Sequence, residues 1–219
     1  EMGIGAGWYE HEWRAYGYGF PRAGERLQML DEGVQIMRQA WQTGSASLDG
    51  KHYQVDGAIV RPLPLQEGGI PIWVAGGGEK VTLRIAAKYA QYTNFDGSYA
   101  GFTHKSKLLE EHCAAVGTDF GAITRSSNYN VVIGATEAEA QQRLDAILAR
   151  LQPLVEPEAL QRYQHLYRNS AFGTPEQLVE PLRALRDAGM TYAICNFPDV
   201  AYDRSGIELF EREVIPALA

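Results

Sequence analysis

The run Ile70-Pro71-Ile72-Trp73-Val74-Ala75 passes straight into Gly76-Gly77-Gly78 and then Glu79-Lys80. It reads as a buried strand, a turn of three glycines, and a helix over residues 79–89. Glycines let the main chain approach a ligand closely. A helix opening at that point offers unpaired N–H groups and the positive end of its dipole, the chemistry of a phosphate or other anion site. Lys80 and Arg84 add positive charge beside it. The spacing is not that of a P-loop. The alternative is a tight turn that only packs helix on strand, for which three consecutive glycines are more than is needed.

A second glycine cluster, Gly3-Ile4-Gly5-Ala6-Gly7-Trp8, opens the chain. It is not the dinucleotide fingerprint, which would place a glycine where Trp8 stands. Either a close-packed strand end or a ligand contact would explain it. Trp8, Tyr9 and Trp13 could line a ring or substrate pocket, or be ordinary core. Asn94 and Asp96 fall at the C-terminal end of a short strand, the end that faces ligands in parallel α/β proteins. Each is a ligand contact or a turn residue, and the same geometry points more weakly to Asn128, Asn130 and Asn196. His11-Glu12 is half of a zinc H-E-x-x-H motif, but Ala15 holds the second histidine position. The remaining histidines show no ligand spacing, so no metal is expected. His52 reads as an exposed hairpin residue. No G-x-S-x-G nucleophile elbow is present.

Positioning these residues requires a regular scaffold. Leu27, Leu30, Val34, Met37 and Trp41 recur at three- and four-residue spacing, which predicts an amphipathic helix over residues 22–43, stopped by Gly44. Asp56-Gly57, between two β-like runs, signals a hairpin turn. Thr136-Glu137-Ala138-Glu139 and Thr174-Pro175-Glu176-Gln177 are capping boxes that start two further helices. Residues 191–197 read as a last buried strand, followed by a helix over residues 205–214. From residue 70 onward strands alternate with helices, the pattern of a parallel sheet with crossover helices. An open doubly wound sheet and a barrel both fit it.

Composition narrows the function classes. The 219 residues carry a net charge of −7, which argues against nucleic-acid or anionic-membrane binding. No apolar run is long enough to span a bilayer. The two cysteines, Cys113 and Cys195, form no CxxC pair and fit a reducing compartment such as the cytoplasm.

The stretch GIGAGWYEHEWRAYGYGFPRAGERLQMLDEGVQIMRQAW closely resembles the luciferase-like monooxygenase superfamily. So, in order, do GKHYQVDGAIVRPLPLQ, PIWVAGGGEKVTLRIAAKYAQYTNFDG, GTPEQLVEPLRALRDAGMTYAIC and FEREVIPAL. The resemblance implies a TIM (β/α)8 barrel, with residues 1–219 forming its C-terminal portion, about strands 4/5 to 8, as a single domain. It implies that earlier strand–helix units, and probable proton donors with them, lie outside the chain. The implied activity is hydride transfer or monooxygenation of a small organic substrate with coenzyme F420, or alternatively FMN. The second reading is a non-catalytic barrel fragment that binds a phosphorylated ligand or a partner chain. Carried over, the cofactor contacts are Gly5, Ala6, Gly7, Trp8, Ala75, Gly76, Gly77, Gly78, Glu79, Lys80 and Asn94, with the phosphate at residues 76–80. Luciferases carry a phosphate-binding arginine at the position of Ala6, and some deazaflavin dehydrogenases carry a catalytic acid there. Ala6 can do neither. Relatives are often homodimers, and the aromatic loop with the helix over residues 22–43 offers a contact surface.

Overall fold

The computed structural model describes residues 1–219 as two compact units. The first holds residues 1–94 and 105–124, the second residues 95–104 and 125–219.

In the first unit, β1 (Met2–Ile4) leads through α1 (Glu10–Ala15) to the long α2 (Ala23–Thr43). An antiparallel pair, β2 (Ser45–Asp49) and β3 (Gln54–Ile59), follows. Then come β4 (Ile72–Ala75), α3 (Thr82–Tyr89) and β5 (Tyr92–Asn94). From Lys105 onward, α4 (Tyr99–Val116) also belongs to this unit. β4 lies between β1 and β5, and both pairings are parallel. One face of β4 buries Ile72 and Val74, while Trp73, on the other, stacks on its cross-strand neighbour Tyr92 at 4.8 Å. α3 answers with Leu83, Ile85, Ala86 and Ala87, all buried. Burying each of the larger aliphatic side chains stabilises the unit by roughly 1.5–3 kcal/mol as an upper estimate. α2 buries Leu30, Val34 and Ala40, and Gly44 ends it in the left-handed region at φ 79°. That is the expected helix and the expected stop.

Two expectations for this unit are corrected. The hairpin turns at residues 50–53, where Gly50 N–H meets the Tyr53 carbonyl at 2.9 Å, and not at Asp56-Gly57. The Glu32 carboxylate of α2 accepts the backbone N–H groups of Lys51, His52 and Tyr53 and so holds the turn there. Gly57, at φ 64°, lies within β3 opposite a register shift, and its N–H is taken by Ser47 Oγ at 2.9 Å. It serves a bulge, which needs the same left-handed conformation as a turn. His52 is partly buried and contacts Gln28 at 3.1 Å. The second correction is the start of α3: Glu79 and Lys80 form a turn, and the helix opens at Thr82.

In the second unit the central strand is β6 (Thr124–Ile133), from Arg125 on. It is followed by α5 (Glu137–Leu151), α6 (Pro157–Arg168), β7 (Ala171–Gly173), α7 (Pro175–Asp187), β8 (Tyr192–Asn196) and α8 (Ser205–Leu209). A π-helical turn over Phe210–Val214 runs into α9 (Ile215–Leu218). The first half of β6 pairs in parallel with β8, and its last three residues pair in parallel with β7. The second capping box is complete, with Gln177 Oε1 accepting the Thr174 N–H at 3.0 Å. The first is half formed: Thr136 Oγ1 accepts the Glu139 N–H at 3.2 Å, but the Glu139 carboxylate accepts from the Ala135 N–H at 2.9 Å and not from Thr136. Val132, Leu144, Ile147 and Tyr167 form one buried cluster, with Phe172 packed against it. β7, only three residues long, has no periodicity by which the sequence could reveal it. β8 is correctly placed but not buried: Tyr192 is 45% exposed and Ile194 38%.

Candidate functional site

Register brings three strand ends together in the first unit. Ile4 pairs with Val74 and Ala75 with Asn94, so the segments after β1 and β4 and the last residue of β5 share one edge of the sheet. All the predicted contacts, residues 5–8, residues 75–80 and Asn94, therefore fall in one unit and at one end of neighbouring strands. The approach is close: a Cβ on Gly5 would lie 3.3 Å from the Ala75 carbonyl oxygen.

The triple-glycine loop is shaped for main-chain recognition. Gly76 sits at φ 115°, a conformation that disfavours any side chain, and its N–H is tied to the Asn94 carbonyl at 3.3 Å. A Cβ on Gly78 would lie 2.6 Å from Thr82 Oγ1. The Gly78 carbonyl accepts the Leu83 N–H, whereas the N–H groups of Gly77 and Gly78 have no partner in the protein. Gly77 and Gly78 line a cavity of about 470 Å³ with Leu27, Glu79, Lys80 and Lys105. Two main-chain donors and two ammonium groups thus border one concavity, with the Glu79 carboxylate beside them.

Lys105, which the sequence reading did not single out, borders the same loop. It reaches from α4 to the Gly77 carbonyl at 2.8 Å and to Glu79 Oε1 at 2.7 Å. His112 Nε2 lies 2.7 Å from the Glu79 carbonyl oxygen. Lys105 and His112 are seven residues apart on one helix, two turns and hence one face, a spacing visible in the sequence. Its meaning depended on which loop that face meets. Arg84, by contrast, does not line the loop cavity; it borders a separate one with Asp31, Glu32 and Lys51, and Lys80 is the one charged residue that borders both.

The loop after β1 is held by Arg26 of α2. Its Nε lies 3.2 Å from the Ala6 and Gly7 carbonyl oxygens, and Nη1 donates to the Pro21 carbonyl. The guanidinium sits over Phe20, 3.9 Å from the ring centroid, and near Trp13. Gly7 is left-handed at φ 71°, and a Cβ there would collide with the Trp13 indole. Trp13 lines a cavity of about 440 Å³ with Tyr16, Tyr18, Met29 and Tyr53. Trp8 is 85% exposed and meets the Tyr9 ring in a tilted contact at 5.4 Å, outside that cavity.

The second unit has a cavity of its own, about 620 Å³, which gathers Asp96, Asn128 and Asn130. Asn196 is absent from its lining but donates from Nδ2 to Asn130 Oδ1 at 2.9 Å. Tyr129, which the sequence did not single out, lines it and donates its hydroxyl to the Gly97 carbonyl at 3.2 Å. Burial pushes that phenol up to about 12, against a hydrogen bond with Ser127 that lowers it. Burial likewise pushes the Cys195 thiol up to about 11, so it is not an activated nucleophile.

Comparison with known proteins follows the same lines. Residues 1–192 match the family described as luciferase-like monooxygenase. An F420-dependent glucose-6-phosphate dehydrogenase of Nocardia farcinica (strain IFM 10152) is 26% identical over 227 residues, which take in 96% of this chain. An FMNH(2)-dependent dimethylsulfone monooxygenase of Pseudomonas putida is 23% identical over 241 residues, 98% of this chain. The chain spans 64% of the length of each of these two relatives. The structure of an F420-dependent secondary alcohol dehydrogenase in complex with an F420–acetone adduct superposes with a TM-score of 0.76. That match has 19% identity and covers 99% of this chain and 69% of the other. It shows a shared α/β fold with parallel strands over part of that protein's length.

Proposed function

The chain belongs to the luciferase-like monooxygenase family, and from that premise we propose that it is an oxidoreductase that works with coenzyme F420, with FMN as the alternative. Its strands correspond, in this reading, to about strands 4/5 to 8 of the family barrel. The observation that carries the proposal is the convergence of residues 5–8, residues 75–80 and Asn94 on one sheet edge, beside two unpartnered glycine N–H groups. Gly77 and Gly78 would donate to the cofactor phosphate, with Lys80 supplying the opposing charge. Lys105 neutralises Glu79, whose carboxylate would otherwise repel the phosphate. Residues 5–8, braced by Arg26, and Asn94 border the remainder of the cofactor. When bound, F420 supplies or accepts a hydride, whereas reduced FMN also permits oxygen activation; the protein contributes orientation and charge. F420 is placed first because the first relative named above depends on it.

Fluorescence titration of the chain with F420 and with FMN in parallel tests the reading. Saturable binding of either is expected, with Lys105→Ala weakening it about tenfold or more through loss of a charge-assisted contact. Binding of neither cofactor, or binding indifferent to Lys105→Ala, would overturn the assignment of the loop.

A further inference from the structure

The two units differ in the charge they offer a ligand. The loop cavity of the first is bordered by Lys80 and Lys105. No lysine or arginine lines the 620 Å³ cavity of the second. We propose that this second cavity binds an uncharged, hydrogen-bonding organic molecule, an alcohol, ketone or amide, and rejects phosphate esters. The inference goes beyond the cofactor assignment and stands without it.

The walls carry the argument. β6 contributes Asn128 and Asn130, α6 contributes His165, Asn169 directly follows α6, and α7 contributes Gln177. Four of these five are amides, which both donate and accept without formal charge. Their positions are held by the protein. The Asn130 N–H is bound by Ser170 Oγ at 2.8 Å, its side chain accepts from Asn196, and Gln177 is engaged in the cap of α7. Asn169 Nδ2 donates to the His165 carbonyl at 2.8 Å and lies 3.2 Å from His165 Nδ1. Leu178, Leu182 and Leu185 of α7 provide an apolar wall, the usual complement to a few fixed polar groups in a small-molecule site. Asp96 is the single carboxylate in the lining, and it accepts the Ser98 N–H at 2.7 Å. A phosphate entering here would lose its hydration, meet no lysine or arginine and face that carboxylate, whereas a neutral donor or acceptor would keep its hydrogen bonds.

The test uses matched probes on the uniformly 15N-labelled chain at pH 8 and constant ionic strength. Cyclohexanol is compared with cyclohexyl phosphate, and benzamide with benzoate, by shifts of the Asn130, Asn169 and Gln177 side-chain amides. The neutral member of each pair is expected to move these amides at concentrations at least about tenfold below its anionic partner. Asn169→Lys, at an exposed position, is expected to narrow or invert that preference. Cyclohexyl phosphate moving Gly77 and Gly78 while the cavity amides stay still would support the proposal. An anion that matches its neutral partner at the cavity amides would overturn it. So would a failure of both neutral probes to move them, and neither result bears on F420 binding to the glycine loop.

Discussion

At the scale of single residues, left-handed glycines differ in what surrounds them. Gly17 and Gly19 are left-handed with open space around them. Gly7 combines a left-handed backbone with the Trp13 indole where a side chain would go. Gly7→Ala should therefore cost more than the roughly 1–2 kcal/mol of left-handed strain alone. Urea melts should register that loss, and cofactor titration should show weakened binding as the loop moves away from Arg26. A wild-type melt for Gly7→Ala would mean that the loop is not held as described. Lys105 teaches the complementary lesson. A lysine on an amphipathic helix is ordinarily a solvated charge, yet this one satisfies a loop carbonyl and a carboxylate together.

At the scale of elements, most of what was legible was periodicity and punctuation. The apolar spacing of α2, the two capping boxes and the strand–glycine–helix unit were all readable, because a local pattern specifies each. The hairpin turn was misplaced because Gly57 suits a bulge as well as a turn, and the choice fell to Glu32, a residue on a different element. Arg143 of α5 makes another link between elements. Only 9% of its side chain is exposed, and it pairs with Asp199 at 2.9 Å and Asp203 at 3.1 Å, and donates to Ser205. This ties α5 to the segment leading into α8. Arg143→Met leaves the Asp199 carboxylate, 7% exposed, without its partner, and should destabilise by about 3–5 kcal/mol. Combining it with Asp199→Leu should recover a large part of that, because the penalty comes from the stranded charge. Urea midpoints of the two variants decide: equal losses would mean that the pair is not coupled.

At the scale of the whole molecule, titrating groups bound the pH range of stability. Two hydrogen bonds from Ser205 hold the Asp203 carboxyl below its ordinary value, with Arg143 assisting. For Glu32, burial acts upward, but the N–H groups of residues 51–53 outweigh it and hold it low. Glu176 is held low by its own N–H and the Thr174 hydroxyl. Depressed carboxylates contribute stability that is present above their unfolded values and lost as pH falls through the folded ones. Tyr129 and Cys195, raised by burial to about 12 and about 11, act at the other end. The unfolded chain ionises first, from ordinary values of 10.0 and 9.0, so stability declines as pH rises beyond about 9. Urea midpoints should be level between about pH 6 and 8 and fall on both sides. A midpoint unchanged at pH 4 would remove the carboxylates from this account.

The sequence by itself determined the family, the alternation of strands and helices, the main secondary elements and the glycine-rich segments that meet at one sheet edge. Each is written in neighbours along the chain, as spacing, glycine runs or caps. Tertiary structure alone decided which side chains serve those segments. Lys105 displaced Arg84 as the cation at the glycine loop, Arg26 became the brace of residues 5–8, and Asp96, Asn128 and Asn130 came to share one cavity that no lysine or arginine lines. Such choices join residues up to tens of positions apart. They depend on strand register and on which helix face meets which loop, and no local pattern encodes either.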